Sequence, residues 1–113
     1  MCGIFGFVGA ERPLQELIDG LKKLEYRGYD SAGMAYTEGH ELVIAKKTGR
    51  VAQLEKAYQN RLSLMVTSAI AHTRWATHGS PNDMNAHPHT DCTGRLAVVH
   101  NGIIENYSEL KNK

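Results

Sequence analysis

Residues 2–9 read Cys-Gly-Ile-Phe-Gly-Phe-Val-Gly, a short apolar run with glycine at every third position. An apolar run of this length predicts a buried β-strand. Glycine weakens a strand unless another group must approach the backbone closely. The glycines therefore indicate a crowded contact between sheets or a crowded thiol at Cys2, and the two interpretations are compatible.

Cys2 directly follows Met1. Removal of Met1 would leave a thiol and a free α-amine on one residue, and in small peptides these two kinds of group titrate within about one pH unit of each other. The amine can then take the thiol proton and later give it to a leaving group, as in terminal-threonine enzymes. The alternative is ordinary packing, the commonest role of a free cysteine. Cys2 is thus a candidate nucleophile with its own base.

The composition is that of one globular domain, with 113 residues of which 42% are hydrophobic and 22% charged. A formal net charge of +1 with dispersed Lys and Arg offers no basic surface to a nucleic-acid backbone. No apolar run suits a membrane span or a secretory signal. We therefore expect a cytoplasmic protein without nucleic-acid or membrane partners, in which Cys2 and Cys92 stay reduced.

Periodicity predicts an α+β domain. A helix begins at Pro13 and ends at Gly28, and its apolar residues recur at helical spacing. These residues are Leu14, Leu17, Ile18, Leu21 and Leu24. Strands over 31–37 and 41–47 form a hairpin through residues 38–40, and a short helix follows from Val51.

The second half of the chain predicts two central strands, over 65–72 and 96–100, joined by a long polar stretch. A stretch of that length is typical of a functional loop. Its His87 and His89, together with His72, His78 and His100, suggest a metal site, but the spacing of His87 and His89 is not that of a helical ligand pair. We expect no metal or cofactor and interpret His87 and His89 as hydrogen-bonded residues that hold the loop. Asn106, with Glu109 three positions later, predicts a helix cap.

Four further motifs each lie at or just beyond the end of a predicted element: residues 25–33, 71–79, 85–89 and 100–106. Together with residues 1–4, and in this order, they closely resemble the amino-terminal glutaminase domain of the glutamine–fructose-6-phosphate aminotransferase family. Amidophosphoribosyltransferase and asparagine synthetase share the leading Cys-Gly-Ile and an Asn-Gly pair but are less well matched. The resemblance implies the N-terminal-nucleophile hydrolase fold, a four-layer αββα sandwich with antiparallel sheets.

The resemblance also implies a catalytic set. Cys2 attacks the side-chain amide of glutamine, and Arg27 lies beside this nucleophile and favours the thiolate. The Asn101 side-chain amide and the Gly102 backbone N–H form an oxyanion hole. Taken alone, an Asn-Gly pair is more typical of a hairpin turn, but here it precedes a helix-capping pattern.

The same resemblance implies residues that bind glutamine. Arg74 suits the α-carboxylate, because a guanidinium binds a carboxylate through two parallel hydrogen bonds, and a surface ion pair is the alternative. Thr77 and His78 lie on a loop that closes over glutamine. Trp75 sits where ammonia leaves, with core packing as the alternative.

We expect a truncated chain, because the helix opened at Asn106 has barely begun at Lys113. In the family, later residues supply an Asp for the α-amino group of glutamine, and further domains bind fructose 6-phosphate in a homodimer. Residues 1–113 are therefore expected to form a partial glutaminase domain with little activity alone. Another glutamine-dependent amidotransferase, a free-standing hydrolase and an inactive binding module are the alternatives.

Overall fold

The chain folds around one antiparallel sheet. The computed structural model describes residues 2–75, 82 and 85–113. The sheet contains β1 (Gly3–Pro13), β2 (Ser31–Glu38), β3 (Glu41–Thr48) and β4 (Met65–Arg74), in the order β1-β4-β2-β3. Two-residue strands β5 (His89–Thr90) and β6 (Ala97–Val98) pair separately. The helices are α1 (Gln15–Leu24), α2 (Val51–Ala57) and α3 (Tyr107–Lys111), with 3₁₀ turns at Glu25–Arg27 and Gln59–Arg61. The predicted α+β class with antiparallel strands is confirmed.

The core lies where α1 and α2 pack on the sheet. Apolar side chains from α1, α2, β2 and β4 form one buried cluster, which includes Leu17, Leu21, Met34, Tyr36, Leu54 and Ala71. Glu55 of α2 joins the helices by accepting hydrogen bonds from Lys22 at 2.7 Å and Gln15 at 3.1 Å. Along the described ranges, no helix has the length and apolar character needed to span a membrane.

The predicted strand at the start of the chain is present, but its predicted burial is wrong. β1 lies at one edge of the sheet, and Ile4 and Val8 are 45% and 85% exposed. An apolar run predicts a strand without fixing its place in the sheet, which explains the error. The pairing of β1 with β4 shifts register between Val8 and Arg12, where Gly9 adopts a left-handed φ of 127°.

β4 is a central strand, as predicted, because it lies between β1 and β2. The second predicted central strand is wrong: only Ala97–Val98 of the run 96–100 is a strand, and its partner β5 has only two residues. The helix after Asn106 is present, but the Asn106 side chain makes no capping hydrogen bond. Its φ of −101° and ψ of 29° differ from the extended backbone of a capping residue.

Candidate active site

The pairing of β1 with β4 brings the start of the chain to the end of β4. Gly3 pairs with Thr73, so Cys2 comes to lie next to Trp75. The Trp75 backbone N–H donates to Cys2 Sγ at 3.3 Å, and Sγ lies 3.8 Å from the Trp75 carbonyl oxygen. Cys2 is half-buried and Cys92 exposed, and neither forms a disulfide. The thiol is therefore held by backbone from a distant part of the chain.

Two predicted site residues meet at the carbonyl oxygen of Cys2. Arg27 Nε donates to this oxygen at 3.2 Å, and Asn101 Nδ2 donates to it at 3.0 Å. Arg27 ends the 3₁₀ turn after α1, whereas Asn101 lies in irregular backbone beyond β6. Gly102 follows with φ 132°, a left-handed value that favours glycine.

Arg74 is the last residue of β4 and is only 7% exposed, so it is not a surface residue. Its carbonyl oxygen accepts a hydrogen bond from the Asp30 backbone N–H at 3.1 Å. A Cβ at position 28 would lie 2.7 Å from the Arg74 carbonyl carbon. Gly28 therefore lets the turn before β2 approach the end of β4.

Trp75 is 47% exposed, so core packing does not describe its role. Its ring meets that of Tyr29 edge to face, with 5.8 Å between centroids. The Arg50 guanidinium lies 4.8 Å above the Tyr29 ring, within cation–π range. The predicted glutamine contacts Thr77 and His78, and Met1, lie outside the described residues.

Three histidine rings, called here the histidine stack, lie next to this site: His72 and His87 are stacked, and His89 is tilted by 53° against His87. The ring centroids of His72 and His87 are 4.3 Å apart, and those of His87 and His89 are 4.4 Å apart. Burial lowers the pKa of each imidazole, and it lowers the pKa of His87 to about 3. The His100 backbone N–H donates to His87 Nδ1 at 3.4 Å. Across the described ranges, no group of three or more His, Cys, Asp or Glu side chains is placed to hold a metal ion.

The sequence interpretation assigned His72 no role at the active site. Its Nε2 lies 2.8 Å from Asn101 Oδ1, so it contacts a residue that itself contacts Cys2. One signal could have identified it. A titratable side chain within the small and apolar residues of a central strand requires a polar partner.

Comparison with known proteins supports the same interpretation as the geometry of the site. No family model matches the chain. The glutamine–fructose-6-phosphate aminotransferase of Pyrococcus horikoshii is 55% identical over 113 residues, which is 100% of this chain and 19% of that protein. The enzyme of the same name from Thermotoga maritima is 57% identical over 111 residues, or 98% of this chain and 18% of that protein. The chain thus spans about a fifth of the length of the curated relatives it matches.

Solved structures show the same fold. The glutamine phosphoribosylpyrophosphate amidotransferase of B. subtilis superposes with a TM-score of 0.79 at 29% identity, covering 99% of this chain and 24% of that chain. A structure described as the allosteric regulatory enzyme of purine biosynthesis gives a TM-score of 0.81 at 30% identity, with the same coverage. Over its whole length the chain is therefore homologous to a part of the glutamine–fructose-6-phosphate aminotransferases, and it has the fold of the N-terminal-nucleophile amidotransferases.

Proposed function

We propose that this chain carries the glutamine-hydrolysing chemistry of an amidotransferase, with Cys2 as the nucleophile. One observation carries the proposal: Arg27 and Asn101 both donate to the Cys2 carbonyl oxygen, at 3.2 and 3.0 Å, while the Trp75 N–H donates to the thiol. Cys2 is half-buried and accepts hydrogen bonds from three residues, which a cysteine that only fills space does not require.

The reaction begins when Cys2 Sγ attacks the side-chain carbonyl carbon of glutamine. The thiol proton passes to the α-amine of Cys2, which is free once Met1 has been removed. The tetrahedral intermediate carries an oxyanion, and the Asn101 side-chain amide and the Gly102 N–H are the donors that stabilise it. Asn101 Nδ2 is already held beside the nucleophile, 3.0 Å from the Cys2 carbonyl oxygen.

Collapse of the intermediate breaks the carbon–nitrogen bond. The proton held by the α-amine leaves with the nitrogen as ammonia, and a thioester remains on Cys2. Water then attacks the thioester, the same donors stabilise the second oxyanion, and glutamate and the free thiol are released. The Arg27 guanidinium, which contacts Cys2, favours the thiolate form through its positive charge.

Further residues are proposed to bind glutamine. Arg74 binds the α-carboxylate through two parallel hydrogen bonds, and its position directly after Thr73, which pairs with Gly3, supports this role. Thr77 and His78 contact the substrate from the segment that follows. Trp75 flanks the route by which ammonia leaves, in keeping with its exposure next to the thiol.

The acceptor of ammonia is proposed from the relatives, whose name includes fructose 6-phosphate and an isomerizing activity. Residues 1–113 would then form part of a glutaminase domain, and the full-length gene product would be a cytoplasmic homodimer that delivers ammonia to fructose 6-phosphate and forms glucosamine 6-phosphate. Sugar-phosphate binding is assigned to domains beyond this chain.

The test measures ammonia and glutamate released from glutamine by the full-length gene product. The wild type and Cys92→Ala should be active, whereas Cys2→Ala should be inactive. An electrophilic glutamine analogue should label Cys2 alone. Ammonia release that persists in Cys2→Ala, or labelling that persists there, would contradict the proposal.

A further inference from the structure

The orientation of the Asn101 side-chain amide follows from its two partners. Its nitrogen lies 3.0 Å from the carbonyl oxygen of Cys2, and its oxygen lies 2.8 Å from His72 Nε2. A carbonyl oxygen only accepts hydrogen bonds, so the amide nitrogen must face Cys2. The amide oxygen also only accepts, so His72 must carry its proton on Nε2.

His72 is well suited to hold one position. It is fully buried within β4, where it pairs with Ile4 of β1 and Gly33 of β2. The His87 ring stacks on it at 4.3 Å between centroids. Asn101, in contrast, is exposed and lies in irregular backbone. The His72 ring can therefore fix the orientation of the Asn101 amide, which the irregular backbone around Asn101 does not fix.

The surroundings keep His72 neutral near pH 7. Burial lowers its pKa, and the positive charges of Arg74 and His89 lower it further, whereas the contact with Asn101 acts in the opposite direction. Among the described residues, His87 also faces it, with its ring stacked on that of His72, and the backbone of His100 raises the pKa of His72. Nδ1 is buried and has no hydrogen-bond partner among the described residues, so a proton there would be unsatisfied.

We propose that His72 is a positioning residue for glutamine hydrolysis, which it serves by donating its Nε2 proton to Asn101 Oδ1. This bond keeps Asn101 Nδ2 turned toward Cys2, 3.0 Å from its carbonyl oxygen, so that the amide N–H is available to the oxyanion that forms when the thiol attacks. The inference rests on the proposed function, because it concerns the same oxyanion donor. Beyond the proposed function, it assigns the orientation of the Asn101 amide to a buried imidazole of the central strand.

The test compares His72→Leu with His72→Gln in the full-length gene product. Leucine removes the donor, and we expect kcat for glutamine hydrolysis to fall about 10- to 100-fold with KM changed less than about twofold, since an interaction realised mainly in the transition state is lost. Glutamine can place an amide N–H near the position of Nε2, so His72→Gln should retain most of the wild-type kcat. Equal losses in both variants would overturn the donor role.

A double-mutant cycle separates positioning from a general structural effect. If His72 acts through Asn101, adding His72→Leu to Asn101→Ala should change kcat by less than about twofold. Losses that multiply would overturn the inference. A wild type without Cys2-dependent ammonia release would instead overturn the proposed function, and the positioning role with it. If the wild type is active and His72→Leu has the same kcat as the wild type, the positioning role alone would be overturned.

Discussion

At the residue scale, the carbonyl oxygen of Cys2 is the meeting point of distant parts of the chain. Arg27 reaches it across 25 positions of sequence and Asn101 across 99 positions. The site is thus assembled by the fold and not by one local motif. Substitutions at these positions should act on different steps, depending on which atom of the substrate each side chain meets.

Arg74→Lys and Asn101→Ala should have distinct kinetic effects. Lysine cannot make two parallel hydrogen bonds to a carboxylate, so KM for glutamine should rise about tenfold or more while kcat changes less. Loss of the Asn101 amide removes an oxyanion donor and should lower kcat about 100-fold or more. Steady-state kinetics of both variants in the full-length gene product provides the measurement. An unchanged KM in Arg74→Lys would place the carboxylate-binding group elsewhere.

At the element scale, the segment 85–90 lies directly against β2. A Cβ at position 33 would lie 1.9 Å from the His87 carbonyl oxygen, so Gly33 leaves room that no other residue would leave. The histidine stack depends on this approach, because His72 pairs with Gly33 across the sheet.

Gly33→Ala should therefore destabilise the protein by about 1–3 kcal/mol, the range for an overpacked core position. It should also lower glutamine hydrolysis, since His87 would move away from His72. Gly39→Asn is the matched control: position 39 has open space around it and φ 63°, which asparagine tolerates. Thermal unfolding of both variants measures the difference, and equal midpoints would show that the contact at position 33 is not tight.

Acid should destabilise the histidine stack. Burial lowers the pKa of His87 from 6.5 to about 3. The unfolded chain therefore binds the extra proton at a higher pH than the folded chain does, so the stabilisation is present above pH 6.5 and is lost as pH falls from 6.5 toward 3. Denaturant unfolding between pH 7 and 4 should give a falling free energy of unfolding. His87→Gln should reduce that pH dependence, and an unreduced slope would contradict the assignment to His87.

Sequence periodicity predicted the elements that bury a regular face. The helix with Leu17 and Leu21, the 31–47 hairpin and the central strand β4 are all present. It could not predict that β1 is an edge strand, because strand order depends on pairing between distant segments. Nor could it predict the His72–Asn101 contact, which joins residues 29 positions apart and needs the irregular backbone beyond β6 to turn back onto β4. The position of Cys2 behind Met1 indicated a nucleophile directly, whereas Arg27 and Asn101 were indicated only through a family resemblance.

At the scale of the whole molecule, apolar side chains remain exposed at the carboxyl-terminal end. Leu96, Ile103, Ile104 and Leu110 are 69%, 52%, 54% and 51% exposed. α3 buries none of its residues. In water such a surface favours contact with further protein.

We therefore expect residues 1–113, expressed alone, to show little or no glutaminase activity even with Cys2 at the amino terminus. Uncovered apolar surface favours loose packing, and Asn101 lies near this poorly packed end. Ammonia release should be measured for residues 1–113 and for the full-length gene product at equal concentration. Comparable rates would show that the first 113 residues are self-sufficient.

Trp75 lies next to the nucleophile. It is the single tryptophan of the chain, and its backbone N–H donates to Cys2 Sγ at 3.3 Å. Indole emission changes with the charge and polarity of its surroundings. Because the backbone of Trp75 contacts the thiol, we expect the intrinsic fluorescence of the unlabelled protein to change when Cys2 is acylated, and stopped-flow spectroscopy should follow that change in real time.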